Sequence, residues 1–471
     1  MTGGIGADGA ASAQTLTTGV QTLALATLTC CLDGADAIMV AALKGVDGDA
    51  TALLRLIVDA RPREVQGSRA GAARRALDDV FAVGLARWGR QRTTRAMQAF
   101  HTALAGWHRR LARLESLDPA DLERRLTAHG TQWIIDPSSP FWPTQLADLS
   151  IRKDWAPPLC LWGVGDPAAL TSCSKPVAVV GSRGVNEYGR ALARGFGERA
   201  ALAGHLVVSG GAMGADAAAH WGALAAMDRS PDRTAIGRTV AVFAGGLDLA
   251  GPQCNRRLFE AIVEHGGALV SELPPGTVPE GRRFLLRNRI IAALASTVVV
   301  TQARLRSGAL NTANWAAELN REVYAAPGDA GTPHNAGCNR LIHDNRAILL
   351  LSASAEGVCH PAHAPVLPAV PSPVPSESCG GSDAERDDGD AMCRSVAAAL
   401  RRCRRDRVAA SVAAIAERMD GVPSIGRALA LLGRLEADGL VTVADGVVSV
   451  RSKGGKEGKA GSRVVGSHEC G

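Results

Sequence analysis

Between residues 175 and 351 the chain repeats one pattern: a short apolar run ending in glycine or a small hydroxyl residue, then a helical stretch. The runs are VAVVGS, HLVVSGG, TVAVFAGG, ALVSEL, TVVVTQA, EVYAAPG and AILLL. Between them lie stretches such as YGRALARGFGERAALA, CNRRLFEAIVEHG and GALNTANWAAELN. A run that is apolar at successive positions, rather than at every second one, suits a strand buried on both faces. Helices between such strands supply the long crossovers that parallel pairing requires. The pattern predicts a doubly wound α/β domain with a mostly parallel sheet covered on both sides.

The rest of the chain divides around that domain. Residues 1–20 are rich in Gly, Ala and Thr and are expected to be disordered. Residues 21–128 carry Leu, Ala and Val at three- and four-residue spacing with Arg between them, a helical pattern broken at LKGVDGDA. The α/β domain takes 129–355, entered through WIIDPSSPFWPTQLADL, a short strand and a proline-rich segment. Residues 356–392 are too polar and proline-rich to bury a core and form a linker. In 393–450 two helical stretches precede VTVADGVVSV, a hairpin with an Asp-Gly turn, which is the element order of a winged helix. Residues 451–471 form a flexible basic tail.

Composition narrows the setting. Of 471 residues 46% are hydrophobic and only 4% aromatic, so a large core must pack on Leu, Val and Ala. The eleven cysteines form no C-x-x-C pair, which reads as reduced thiols rather than disulfides or a zinc site. The Cys359-His360-His363 group has no matching second pair and lies in the linker, so no metal is expected. No run reaches the length of a membrane span. The first basic residue, Lys44, follows the apolar stretch at 23–32, so no charged leader precedes it. A soluble, cytoplasmic protein is the expectation.

In a doubly wound sheet ligands bind beyond the carboxyl ends of the strands, near helix N-termini. Here those ends read GSRG, SGGAMGAD, AGGLD, SELPPG, RSGALNTA and APGDAG. Glycine is the ordinary residue of a tight strand-to-helix turn, but six such loops on one edge also leave backbone N–H groups open to an anion. A dinucleotide fingerprint needs G-x-G-x-x-G, whereas Gly181 is followed by Ser182 and Arg183. A P-loop needs Gly-Lys-Ser/Thr, which is absent from the chain. No cofactor is expected. Arg183 reads as a clamp on a phosphate, the alternative being an arginine bridged to a neighbouring domain. A second basic element, EGRRFLLRNRIIAALAS, places Arg282, Arg283, Arg287 and Arg289 around the start of the helix before the fifth run. A groove of arginines and amides suits a nucleic-acid backbone; a solvated helix face is the plainer alternative.

These motifs resemble, in order, those of the DNA-processing protein A family, also called DprA or Smf. The matching stretches are VAVVGSR at Val177, VVSGGAMGADAAAHWGAL at Val207, SELPPGTVP at Ser271, FLLRNRIIAAL at Phe284, RSGALNTA at Arg306, and the APG and GCNRLI segments near Ala326 and Gly337. The likeness covers roughly 130–350. It implies a Rossmann-like domain preceded by a sterile-alpha-motif-like (SAM-like) helical domain and followed by a small winged helix. It further implies a non-enzymatic homodimer that binds single-stranded DNA, protects incoming DNA and loads a RecA-type recombinase during natural transformation. Carried over by motif, Gly181, Ser182 and Arg183 are the phosphate-binding Gly-Ser-Arg. Ser209, Gly210 and Gly211 form the second glycine-rich loop, and Arg287, Asn288 and Arg289 the basic motif of the groove. Met213, Gln302, Asn345 and the GPQCN segment with Gly251 and Cys254 depart from the family's usual residues.

Two other functions compete. Related Rossmann-like proteins are nucleotide hydrolases of the nucleoside-monophosphate phosphoribohydrolase type, with a Pro-Gly-Gly-x-Gly-Thr loop and a glutamate; RSGALNTANWAAE lacks that loop. Asp216 and His220, four apart on a helix, could serve as an acid/base pair, or as a helix-capping aspartate and a packed histidine. A transcription regulator would account for the winged helix and leave the arginines unexplained.

Overall fold

The computed structural model of the chain describes residues 18–62, 68–150, 156–353 and 358, and after these only 398–399, 402–403, 405, 441–444 and 447–450. The chain forms two compact units, Met1–Pro368 and Ala369–Gly471.

The first unit opens with six helices: α1 (Val20–Cys30), α2 (Ala37–Gly45), α3 (Ala50–Asp59), α4 (Ser68–Arg87), α5 (Thr94–Leu111) and α6 (Pro119–Leu126). The break at LKGVDGDA falls between α2 and α3. Capping residues set the starts: the Asp36 carboxylate accepts the Ile38 and Met39 amides at α2, and Asp118 caps α6 ahead of Pro119. Asp36 also accepts the Trp107 indole N–H at 3.0 Å, tying the α1–α2 loop to α5. Phe81 and Phe100 stack with centroids 4.4 Å apart inside this helical core.

Nine strands follow in one sheet. They are β1 (Trp133–Ile135), β2 (Leu161–Gly165), β3 (Val177–Gly181), β4 (Val207–Gly210), β5 (Thr239–Phe243), β6 (Ala268–Ser271), β7 (Thr297–Gln302), β8 (Glu322–Ala325) and β9 (Ile348–Leu349). Their spatial order is β1-β2-β6-β5-β4-β3-β7-β8-β9. The seven runs expected from the sequence are β3 to β9, and every pair among them is parallel. LWGVG, which the sequence pattern did not mark as a strand, forms β2, antiparallel to both β1 and β6. The sheet is therefore mixed rather than purely parallel.

Alternation along the strands divides the core into two layers. Ala178, Val180, Val208, Val240, Val298 and Val300 face α10 (Gly281–Leu294) and α11 (Gly308–Glu318). Val177, Val179, Val207 and Val299 face α7 (Glu187–Leu202) and α8 (Ala215–Arg229). At the β5–β6 end the second layer is completed by α9 (Arg256–Glu264) together with residues of α1 and α6, so the helical part packs directly on the sheet. Among the described residues no helix is long and apolar enough to cross a membrane.

In the second unit β10 (Val441–Ala444) pairs antiparallel with β11 (Val447–Val450), which is the expected hairpin. The helices of the expected winged helix lie outside the described residues, as do the basic tail and almost all of the linker.

Candidate functional site

From β3 to β6 each new strand is laid down on one side of its predecessor; the chain then crosses back, and β7 pairs with the free side of β3. The carboxyl ends of β3 and β7 therefore flank the topological switch point, where an open α/β sheet leaves a crevice. Gly-Ser-Arg leaves β3 at this place. The Ser182 N–H donates to the Gln302 carbonyl at 2.8 Å, and the Ser182 carbonyl accepts the Ala215 N–H at 3.2 Å, joining the loop to β7 and to the start of α8. Gly214, at φ 82°, makes this junction possible, since a Cβ there would stand 2.4 Å from the carbonyl oxygens of both Ser182 and Arg183. Arg183 is thereby held out into solvent, its guanidinium 4.8 Å from the centre of the Phe284 ring.

The crevice is an open cavity of about 850 Å³ lined by four arginines, Arg183, Arg287, Arg304 and Arg306, by Phe284 and by the backbone around Ser182 and Gly308. The α11 N-terminus faces it, with Ser307 capping the Ala309 amide. Arg304 donates to His334 at 3.1 Å. Among the described residues neither Arg183 nor Arg306 has a carboxylate partner, so two cations face the cavity unneutralised. A second cavity of about 280 Å³ shares Arg183, Phe284 and Arg287 and is otherwise walled by apolar or glycine positions such as Met213, Phe243 and Gly245.

The floor is a buried polar cluster. Arg287 donates to the Val242 carbonyl. Gly210 lets Arg287 and Asp216 approach each other, for a Cβ there would meet both side chains within 3 Å. Burial pushes the Asp216 carboxyl up to about 6, against the pull of Arg287, the Ala212 amide and Arg183. Burial likewise lowers the Arg287 guanidinium, opposed by Asp216. The two have no contact within ion-pair distance, which is why desolvation prevails in both. Asp216 lies in the first turn of α8 and not at its cap, which is Gly214. His220 is wholly buried, with Nε2 3.0 Å from the Gly210 carbonyl and Nδ1 2.7 Å from the Thr239 hydroxyl. Burial pushes its pKa down to about 4, so the ring is neutral, donates from Nε2 and accepts at Nδ1. Both nitrogens are engaged, so His220 is packing for β4 and β5, not an acid/base group facing the cavity.

Several expectations about individual residues are corrected by this geometry. Arg289 does not line the groove: it is 1% exposed and paired with Glu272. Residues two apart on a helix point to different sides, so Arg287 and Arg289 could not share one face. Ser209 is buried and gives its hydroxyl proton to the Val179 carbonyl, while Gly210 lies beneath the groove as an acceptor for His220. Gly211 borders the smaller cavity. Asn288 lines the large one, but its amide hydrogens go to the Gly308 carbonyl and Asn311, fixing the start of α11. Arg282 and Arg283 are taken up by Asp33. Arg304 and Arg306 were not singled out as site residues, although RLRSG follows β7 at the same edge as Gly-Ser-Arg and carries the signal.

A sequence profile described as DNA recombination-mediator protein A matches residues 133–358. A Mycobacterium tuberculosis protein named as a DNA processing protein DprA is 41% identical over 229 residues, 47% of this chain and 56% of its own length. The X-ray structure of DNA processing protein A from Streptococcus pneumoniae is 30% identical with a TM-score of 0.45, covering 54% of this chain and 82% of that one. That of the Helicobacter pylori protein, described for its single-stranded DNA binding mode, is 24% identical with a TM-score of 0.40, covering 47% and 92%. The chain spans about half the length of the curated relatives it matches. Over these residues the motifs, the family profile and the relatives coincide, and the chain belongs to the DNA processing protein A family, DprA or Smf.

Proposed function

We propose that the chain binds single-stranded DNA in the switch-point groove and passes it to a RecA-type recombinase, protecting incoming DNA during natural transformation, and that it works as a homodimer without hydrolysing its ligand. The observation that carries the DNA part is the pair of unneutralised arginines, Arg183 and Arg306, facing a groove whose remaining donors are backbone amides. Such donors hold phosphate oxygens and carry no base code, which suits a strand of any sequence. Phe284 and the apolar wall beside Arg183 offer surfaces for unstacked bases, available in a single strand and hidden in a duplex. The recombinase and dimer parts rest on family membership alone. Gel-shift titration with single strands, duplexes and mononucleotides at several salt concentrations tests the reading. Single strands should be retained at salt that releases duplexes, and mononucleotides should compete poorly. Equal binding of duplex, or displacement by mononucleotides at low concentration, would overturn it.

A further inference from the structure

The loop between α1 and α2 reaches across the molecule to the groove wall. Asp33 holds Arg282 with both carboxylate oxygens, each 2.6 Å from Nη2, and Arg283 at 3.1 Å. Gly34 lets the loop seat on α10: it has φ 127°, and a Cβ there would lie 2.4 Å from Leu286 Cδ2. Arg282 and Arg283 lie between Gly281 and Phe284, both of which line the large cavity, so the pair stands at the lip of the groove.

We propose that Asp33 is an internal stand-in for phosphate, and that a single strand running out of the groove displaces it, taking Arg282 and Arg283 and unlatching the α1–α2 loop from α10. This rests on the reading of the groove as a single-strand site. Three observations support the exchange. Asp33 is partly exposed, as is Arg282, and ion pairs in contact with water are weakly held. A phosphate oxygen offers the same acceptor geometry to a guanidinium as a carboxylate. Asp33 also has a second cation on its own side, Arg110 at 3.9 Å, so its charge is not stranded when it lets go. Glu280 remains beside both arginines, at 3.3 Å from Arg282 and 3.5 Å from Arg283, so displacement frees one net positive charge.

The test is a salt-dependent titration of the full chain with oligothymidylates of increasing length. Asp33→Asn should bind long oligomers about three- to tenfold more tightly at low salt, with a slope steeper by about 0.7, the value for one extra phosphate contact on a single strand. Adding Arg282→Ala and Arg283→Ala to Asp33→Asn should abolish that gain. In the unmodified chain, a long oligomer should raise amide hydrogen exchange at 31–36. Weaker binding by Asp33→Asn, an unchanged slope, or unaltered exchange at 31–36 would make Asp33 a structural tie only. Arg183→Ala in the same series separates the two readings. No loss from Arg183→Ala refutes the groove itself, whereas loss there without gain from Asp33→Asn refutes the latch alone.

Discussion

Replacing Asp216 with asparagine asks whether burial or charge pairing governs the floor of the groove. The carboxyl is raised from 3.8 to about 6, and at about 1.4 kcal/mol per pH unit its ionisation costs the folded state about 3 kcal/mol. A raised folded-state value means that the stabilising proton is fully held below pH 3.8 and is lost as pH rises through about 6. The aspartate protein should therefore lose stability across that window. An asparagine side chain cannot ionise and resembles the protonated acid, so Asp216→Asn should match the parent near pH 4 and exceed it by up to about 3 kcal/mol at pH 8. Thermal unfolding of both proteins from pH 4 to 8 measures the gap. If Asp216→Asn were the less stable protein at pH 8, attraction to Arg287 would outweigh burial. The same proton should tune ligand binding: below pH 6 the groove loses a negative charge, and affinity for an anionic strand should rise in the parent and not in the variant.

Three other outcomes follow from the geometry. Arg289→Ala should destabilise the fold by about 3–5 kcal/mol, because Glu272 is left without its cation, yet leave the salt slope of DNA binding unchanged; denaturant titration and binding together check this. A chain ending at Pro368 should keep most single-strand affinity, the cut being placed after Val358 because that side chain is buried against the α7–α8 layer; loss of binding by a folded truncated protein would move the main site into the second unit. Purified protein should leave ATP, nucleoside monophosphates and DNA intact, and turnover abolished by Asp216→Ala would restore the hydrolase reading.

The strands were legible in the sequence because burial on both faces writes continuous apolar runs, and all seven runs pair as expected. β2 escaped because LWGVG carries two glycines in five residues and its pairing partner β6 lies over a hundred positions later. Gly-Ser-Arg was legible for a chemical reason, since an arginine where a nucleotide fold wants glycine has to be met by an anion or a carboxylate. Charge alone could not sort the arginines of α10. Arg282 and Arg283 are claimed by Asp33, about 250 positions away, and Arg289 by Glu272, and neither partner can be inferred from helical spacing. Gln302 shows the same limit. Its amide accepts from the Asn186 N–H at 3.0 Å and donates to Asn186 and Asn335, both at 2.8 Å, so a departure from the family's usual glutamate is fully used in joining β7 to the starts of α7 and α12 (Ala336–His343).

The central claim, that Arg183 and Arg306 hold backbone phosphates of a single strand, is tested most directly by the salt dependence of oligothymidylate affinity in the parent, in Arg183→Ala, in Arg306→Ala and in the double variant. Each arginine removed should make the slope of log affinity against log salt shallower by about 0.7, and both together by about 1.4, with the same loss for oligomers of different sequence. Slopes that stay at the parent value, or losses confined to one base composition, would contradict it.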